Sequence, residues 1–164
     1  MSVPGPHSVS MVETNPPEFD DWQGLHRLLV DSFSFMEGRI DPPSSLLRLT
    51  PQGLAEKSHS EDLFLIRDGA RPVACAFGLP KPGRYYIGKL AVAAPQRGQG
   101  AARAILTAAA EVARAQRLPR LEMETRVDLR ENHRAFRRLG FTLVGASTHD
   151  GYTQVTSLTF CRNI

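Results

Sequence analysis

Two glycines, Gly98 and Gly100, stand between an apolar run and a long alanine-rich segment, and this order constrains the fold more than any other feature. The run before them, residues 85–92, predicts a strand, and the segment after them predicts a helix. Glycine allows a tight turn and lets a ligand approach the backbone closely. Because the first amides of a helix lack partners and the helix dipole favours anions, this strand–turn–helix sequence predicts a phosphate site.

The length and composition predict one ordinary globular domain. The chain has 164 residues, of which 41% are hydrophobic and 23% are charged, and this suits a domain with a hydrophobic core. Residues 1–8 are rich in Pro and Gly and predict a disordered N-terminal segment. We expect a single domain over residues 9–164, since nothing there reads as a linker.

Several classes of protein are disfavoured by features that the sequence lacks. It has no apolar run of membrane-spanning length and no secretory signal at its N-terminus, so we expect no membrane association. Its two cysteines, Cys75 and Cys161, are too few for a disulfide framework and lack the spacing of metal ligands. We therefore expect a cytoplasmic protein with no metal.

The charge of the chain is unevenly distributed. Residues 1–83 contain 7 Lys/Arg and 11 Asp/Glu, a net charge of −4, whereas residues 84–164 contain 13 and 6, a net charge of +7. The basic half contains the glycine turn, so its charge indicates either solvated helix faces or a polyanionic ligand. No Lys/Arg run is interleaved with stacking aromatic residues, and we expect no nucleic-acid partner.

Hydrophobic periodicity and turn residues predict a mixed α/β fold, in the order strand, two helices, three strands, helix, strand, helix and two strands. The predicted strands cover residues 9–13, 63–66, 73–79, 85–92, 121–127, 141–146 and 152–160. The predicted helices cover residues 19–35, 50–57, 98–117 and about 128–139. The last of these helices is predicted to start at a capping box formed by Asp128 and Glu131.

The glycine turn and a second, distant motif resemble those of a known family. The segment Arg97-Gly98-Gln99-Gly100-Ala101-Ala102, preceded by the strand Leu90-Ala91-Val92, resembles the R/Q-x-x-G-x-G/A motif of the GNAT superfamily of acyl-CoA-dependent N-acetyltransferases. Leu139-Gly140-Phe141 matches the L-G-F at the end of that family's fourth helix. The resemblance covers about residues 9–161 and implies the GNAT fold, a splayed, mostly antiparallel sheet of about six to seven strands flanked by about four helices.

The resemblance also implies which residues bind acetyl-CoA, the co-substrate. The turn amides bind the pyrophosphate in that family, and here they belong to Gly98, Gln99, Gly100, Ala101 and Ala102. The backbone of the preceding strand, here Leu90, Ala91 and Val92, would bind the pantetheine arm. Arg97 and Arg103 flank the turn and would add positive charge. These assignments fit the need of a diphosphate for several convergent N–H donors.

Two residues depart from the family pattern. Many members carry a tyrosine that protonates the departing CoA thiolate, and Phe136 stands at that position, where its ring can only pack against the pantetheine arm. Asn132 lies eight residues before Gly140, closer than usual, and is either a CoA contact or a surface residue. We predict Tyr152 as the replacement acid, with Tyr85, Tyr86 and solvent as alternatives.

A general base is predicted on the strand that follows the long helix. Glu122 and Glu124 lie on one face of that strand by alternation, and Glu124 is our preferred base, acting directly or through a water. The alternative is a structural carboxylate paired with Arg126.

The acceptor is predicted to be a primary amine of a small molecule or peptide. Glu37, Arg39 and Asp41 lie in the loop after the first helix, which covers the acceptor site in the family, and would recognise a small charged amine. The alternative is that this loop is only a rigid connection. Direct acetyl transfer is one hypothesis, and a non-catalytic acyl-CoA-binding module, motivated by Phe136, is the other. The family often dimerises through its last strands, so we also expect a homodimer.

Overall fold

The computed structural model describes residues 11–164. The predicted disordered segment, residues 1–8, and the start of the first predicted strand lie outside the described residues. No helix in the described part of the chain is long and apolar enough to cross a membrane.

One seven-stranded sheet, in the order β1-β2-β3-β4-β5-β7-β6, runs through the structure. Its strands are β1 (Glu13–Thr14), β2 (Asp62–Asp68), β3 (Arg71–Lys81), β4 (Arg84–Val92), β5 (Arg120–Arg126), β6 (Thr142–Ser147) and β7 (Ser157–Asn163). All neighbouring strands are antiparallel except β4 and β5, which are parallel. The predicted meander of three antiparallel strands is therefore confirmed, and the last strand starts five residues later than predicted, at Ser157.

Four α-helices cover the two faces of the sheet. They are α1 (Trp22–Phe33), α2 (Pro51–Lys57), α3 (Ala101–Ala115) and α4 (Arg130–Arg138). Buried Leu25 and Leu54 place α1 and α2 against Leu65 and Phe77 on one face. On the other face α3 and α4 pack against a second cluster of buried residues, which includes Phe64, Tyr85, Ile105, Leu106 and Phe160. This arrangement confirms the predicted fold class.

The start of α2 follows a local capping rule, whereas the start of α4 does not. Thr50 Oγ1 accepts a hydrogen bond from the Gly53 amide at 3.0 Å, as predicted for the start of α2. The predicted capping box at α4 is wrong, because Leu129 precedes the helix and makes no side-chain cap. Leu129 is 1% exposed, and Glu131 forms an ion pair with Arg39 at 2.7 Å. Burial of leucine and a tertiary contact therefore prevail over the local motif.

A β-bulge interrupts β4 halfway along its length. The pairing with β3 passes from Phe77 opposite Gly88 to Cys75 opposite Ala91, so β4 contains one residue more than its partner. Lys89 occupies the bulge with a φ of +53°, a backbone conformation that few residues other than glycine adopt. The bulge redirects the end of β4 toward the glycine turn.

Substitution of Gly78 by alanine is expected to destabilise the sheet by about 1–3 kcal/mol. A Cβ atom at Gly78 would lie 2.1 Å from Oη of Tyr85, which is fully buried and donates to Asp62 Oδ2 at 2.5 Å. The tyrosine ring has no free space into which it can retreat. Urea unfolding measures the loss. Gly145→Ala in β6 is the matched control, because its nearest atom would lie at 3.8 Å, and an equal loss in both variants would contradict this account.

Candidate active site

The candidate site lies where β4 and β5 separate. The two strands pair only at Tyr85 with Leu121 and at Tyr86 with Glu122, and beyond these pairs their edges diverge. A cavity of about 450 Å³ occupies the opening, and we call it the central cavity. Both strands, the loop after α1 and one side of α4 line it. The splayed sheet predicted from the sequence therefore creates the space for a ligand.

The glycine turn is shaped as an anion site. Gly98 and Gly100 have φ values of +78° and +81°, and a Cβ at Gly98 would meet no atom within 4 Å. The first hydrogen bond of α3 joins the Ala104 amide to the Gly100 carbonyl at 2.9 Å. Within the described residues the amides of positions 98–102 donate no hydrogen bond. These five unpartnered donors fit a diphosphate group at a helix N-terminus.

Side chains around the turn hold its backbone in place. Gln99 Nε2 donates to the Pro95 carbonyl at 3.1 Å, and Arg97 Nε donates to the Val92 carbonyl at 3.3 Å. Arg103 donates to the Arg138 carbonyl at 3.3 Å and so connects α3 to the last turn of α4. The predicted contribution of both arginines to phosphate binding stays a prediction.

The three residues predicted to bind the pantetheine arm differ in their surroundings. Leu90 follows Lys89 in the bulge and lines the central cavity. Ala91 is 3% exposed and is paired with Cys75 of β3, and Val92 is paired with Ala74, the residue before Cys75. Among the three, Leu90 therefore lies closest to the space that a ligand would fill.

The two α4 residues singled out from the sequence both line the central cavity. Asn132 Nδ2 donates to Oγ1 of Thr125 at 3.1 Å and links α4 to β5. The Phe136 ring packs edge-on against Phe160 at a centroid distance of 5.5 Å. Phe136 therefore supplies an apolar wall and has no proton to donate.

The two glutamates of β5 have different environments. Glu122 is 8% exposed, and its Oε2 lies 3.0 Å from Nε of Arg84 and 3.9 Å from Cys161 Sγ. Glu124 is exposed, lines the central cavity and forms no ion pair within the described part of the chain. The alternative pairing with Arg126 is absent there, because the Arg126 guanidinium donates to backbone carbonyls instead. Glu124 is thus the unpaired one of the two glutamates, and its role as the base stays a prediction.

The three candidate tyrosines lie in three different places. Tyr85 is buried on the α3 face of the sheet, far from the cavity lining. Tyr86 lines the central cavity, and burial together with the charges of Glu124 and Glu122 raises its pKa to about 12. Tyr152 donates to Asp41 Oδ1 at 2.6 Å, and this hydrogen bond raises the pKa of Tyr152.

The loop after α1 is tied to the C-terminal half of the chain by its polar residues. Nη1 of Arg39 lies 2.7 Å from Glu131 Oε1, and the Arg126 guanidinium donates to the Pro42 carbonyl at 2.7 Å. With Asp41 held by the Tyr152 hydroxyl, the loop folds over the central cavity. Arg39 and Asp41 do not line this cavity, and Glu37 lines a neighbouring one.

Sequence reasoning missed two cations of the site, Arg48 and Lys89. Lys89 lines the central cavity, and burial followed by the charge of Lys57 lowers its pKa. A glycine inside a strand is a signal for a bulge, and Gly88 immediately precedes Lys89. Alternation alone places a strand residue on one face or the other and does not show that a bulge turns it toward a cavity.

The chemistry of the cysteines narrows the mechanism. Burial raises the pKa of the Cys75 thiol to about 12, and burial also raises that of Cys161. A thiol with a raised pKa is a poor nucleophile at neutral pH. No group of three or more His, Cys, Asp or Glu residues able to hold a metal occurs in residues 11–164.

Comparisons with known proteins agree with this geometry. The model of the acetyltransferase (GNAT) family matches residues 22–141. The chain is similar to a GNAT-family acetyltransferase from Staphylococcus aureus Mu50, with a TM-score of 0.69 and 12% identity over 93% of this chain and 98% of that one. It is also similar to the ribosomal-protein-S18-alanine N-acetyltransferase of Escherichia coli, with a TM-score of 0.65 and 15% identity over 94% of each chain.

A third solved structure, a GNAT-family acetyltransferase from Elizabethkingia anophelis with acetyl-CoA bound, has a TM-score of 0.64 and 14% identity, over 94% of this chain and 97% of that one. A comparison with curated proteins finds no match. The family match covers most of the chain and contains the glycine turn, β4, β5 and α4. The protein therefore belongs to the GNAT family and is an acyl-CoA-dependent N-acetyltransferase that uses acetyl-CoA.

Proposed function

We propose that the protein transfers the acetyl group of acetyl-CoA directly to a primary amine, with Glu124 as the general base. The observation that carries the proposal is the position of Glu124, an unpaired carboxylate on the wall of the cavity between β4 and β5. The glycine turn, which would bind the donor, connects the end of β4 to α3. Glu124 lies on β5, the strand next to β4, so the donor and the proton acceptor would be held by neighbouring strands.

The donor would bind along β4. Its diphosphate fits the five unpartnered amides of residues 98–102, and its pantetheine arm fits the opening beside Leu90, Asn132 and Phe136. A peptide-like arm can add hydrogen bonds to a strand edge that lacks a neighbour, and β4 has such an edge beyond Tyr86. A backbone amide of the Leu90–Val92 segment would polarise the thioester carbonyl.

The transfer needs one proton acceptor and one proton donor. The acceptor ammonium loses a proton to Glu124, directly or through a water, and the neutral amine then attacks the thioester carbon. A C–N bond forms and the C–S bond breaks. The attacking nitrogen loses its second proton as the amide forms, and the departing thiolate takes up one proton from the general acid or solvent, so that the products are the acetamide, the free thiol and protonated Glu124. Holding both reactants in one cavity supplies most of the acceleration in such a reaction.

Two tyrosines are candidates for the acid, and their phenylalanine variants distinguish them. Tyr152 stays a prediction from the sequence; its hydroxyl is engaged with Asp41. Tyr86 lines the cavity and keeps its proton well above neutral pH. We expect Tyr86→Phe to lower kcat by about tenfold or more, and Tyr152→Phe mainly to raise KM for the acceptor by loosening the loop after α1. Steady-state kinetics measures both, and a larger loss of kcat in Tyr152→Phe would instead establish Tyr152 as the acid.

Transfer through an acyl-enzyme is disfavoured by the two thiols. Both cysteines are buried, and the pKa of each is raised by that burial. A covalent route needs an activated nucleophile beside a base. Direct attack by the amine within a ternary complex is therefore the mechanism that these residues support.

The proposal is tested by release of free thiol from acetyl-CoA in the presence of a panel of primary amines. Turnover with at least one amine, together with calorimetric binding of acetyl-CoA, supports it. Tight binding without turnover on any amine would favour the alternative, a non-catalytic acyl-CoA-binding module. Membership of an acetyltransferase family does not favour that alternative.

We also propose that the protein is a homodimer that pairs through β6. This strand is the edge of the sheet, all six of its residues are exposed, and Leu143 and Val144 are 49% and 60% exposed. An exposed apolar edge strand is a template for pairing with another chain. Light scattering is expected to give twice the monomer mass for the native chain and the monomer mass for Val144→Lys. A monomeric native protein would contradict this.

A further inference from the structure

A second cavity, which we call the apolar chamber, adjoins the central cavity beneath the loop after α1. It has a volume of about 640 Å³ and is lined mainly by aliphatic and aromatic side chains. The two cavities share Phe33, Met36, Ile40, Pro43, Ser44 and Leu46. The two cavities therefore adjoin along these six residues, so that an acceptor at the central cavity has the chamber as its immediate neighbour.

The apolar chamber exposes hydrophobic surface that nothing in the described residues covers. Val30 is 40% exposed on α1, and Leu47 is 65% exposed on the loop. Concave apolar surface next to a reaction cavity is the usual environment of a ligand's hydrophobic part. The chamber thus fits an apolar group, and the lining that it shares with the central cavity makes the acceptor the occupant that we assign to it.

The central cavity has more positive than negative side chains. Arg48, Lys89 and Arg126 line it, whereas Glu124 is its one lining carboxylate among the described residues, and His149 is the remaining titratable side chain besides Tyr86. None of the three cations forms an ion pair with a carboxylate in residues 11–164. The site consequently lacks the counter-ion that such a group of cations attracts, and an anionic group on the acceptor would supply it.

Lys89 is the best placed of the three cations. Arg126 is engaged with the carbonyls of the loop, and Arg48 is exposed, whereas Lys89 is half-buried in the β4 bulge on the cavity wall. A half-buried ammonium without a carboxylate partner has lost part of its hydration, so an anion beside it is favourable. The bulge that lies next to the donor site thus also supplies a contact for the acceptor.

We infer that the acceptor is a free amino acid with a large apolar side chain. Its ammonium would lie at Glu124, its carboxylate at Lys89, and its side chain in the apolar chamber. A polyamine would bring further positive charge toward the three cations, and a small polar amine would leave the chamber unfilled. This inference rests on the proposed function, since it names the substrate class of the same site.

The experiment compares four acceptors with acetyl-CoA on the purified full chain. The first is L-phenylalanine. L-Phenylalaninamide lacks its carboxylate, L-alanine lacks its large side chain, and spermidine is a polyamine that carries only positive charge. We expect kcat/KM for L-phenylalanine to exceed that for each of the others by about tenfold or more. If the amide, alanine or spermidine equals or exceeds L-phenylalanine, the inference is overturned and the proposed function stands. If no amine is acetylated, or acetyl-CoA does not bind, the proposed function fails.

Two variants assign the contacts. The quantity compared is kcat/KM for L-phenylalanine divided by kcat/KM for L-phenylalaninamide. Lys89→Gln is expected to lower this ratio by about tenfold, because KM for L-phenylalanine rises. Lys89→Arg keeps the positive charge and should restore part of the ratio. Arg114→Gln, which removes an exposed charge from α3, is the matched control and should leave the ratio unchanged. Val30→Trp should lower the preference for L-phenylalanine over L-alanine by filling the chamber. Unchanged ratios in Lys89→Gln or Val30→Trp would overturn the assigned contact.

Discussion

Gly98→Val is expected to weaken binding of acetyl-CoA by about 100-fold or more. Gly98 has a φ of +78°, and a branched side chain there would either occupy the space in front of the turn amides or force the turn into another conformation. Both outcomes remove donors from the diphosphate site. Loss of two to three charge-assisted hydrogen bonds is sufficient for an effect of this size.

Gly69→Val is the matched control for this substitution. Gly69 lies in the β2–β3 hairpin with a φ of +62°, and like Gly98 it has no atom within 4 Å of a built Cβ. Both variants should therefore lose similar stability, roughly 1–2 kcal/mol from the left-handed conformation. Titration calorimetry measures the affinity of each variant for acetyl-CoA, and only Gly98→Val is expected to lose affinity. Equal affinities in the two variants would contradict the assignment of the turn as the diphosphate site.

Glu124→Gln is expected to lower kcat by about 100- to 10,000-fold, the range for loss of a general base. Glutamine keeps the size and hydrogen-bonding capacity of the side chain but cannot accept the proton of the acceptor ammonium. The affinity for acetyl-CoA should stay within about threefold, because the turn amides are unchanged. Thiol release and calorimetry measure the two quantities on the same preparation.

Glu111→Gln controls for the loss of one negative charge. Glu111 is exposed on α3, away from the cavity lining, so this variant should have the kcat of the native chain. A Glu124→Gln enzyme with undiminished kcat would show that water alone accepts the proton. A variant that loses acetyl-CoA binding together with kcat would instead indicate a structural role for Glu124.

The features predicted well from the sequence are those that depend on neighbouring residues. The strand–turn–helix at Gly98 and Gly100 follows from glycine, apolar periodicity and an alanine-rich helix, all of which lie within about 35 residues. The cap of α2 at Thr50 and the left-handed Gly140 that follows α4 reflect side-chain and φ preferences of single residues. These preferences depend only on neighbouring residues, so they hold whatever tertiary contacts the segment makes.

The features that the sequence did not predict depend on contacts between distant segments. The Asp128–Glu131 capping box failed because Glu131 binds Arg39, a residue 92 positions earlier. Arg126 was considered as a partner for Glu124, yet it donates to Pro42 and Pro43 more than 80 residues away. The cavity face of Lys89 depends on a register shift between β3 and β4. No local pattern encodes which of several partners an exposed arginine or glutamate will find.

The separation of β4 from β5 also predicts that a bound donor protects the folded protein from proteolysis. Only two register pairs join the β1–β4 half of the sheet to the β5–β7 half. Backbone that lacks a neighbour opens more readily, and proteases cut the opened form. A donor lying in this gap would replace the missing strand contacts and add about 2.7 kcal/mol of stability when free acetyl-CoA exceeds its Kd by roughly 100-fold. The abundance of the enzyme would then rise and fall with the supply of its own acetyl donor.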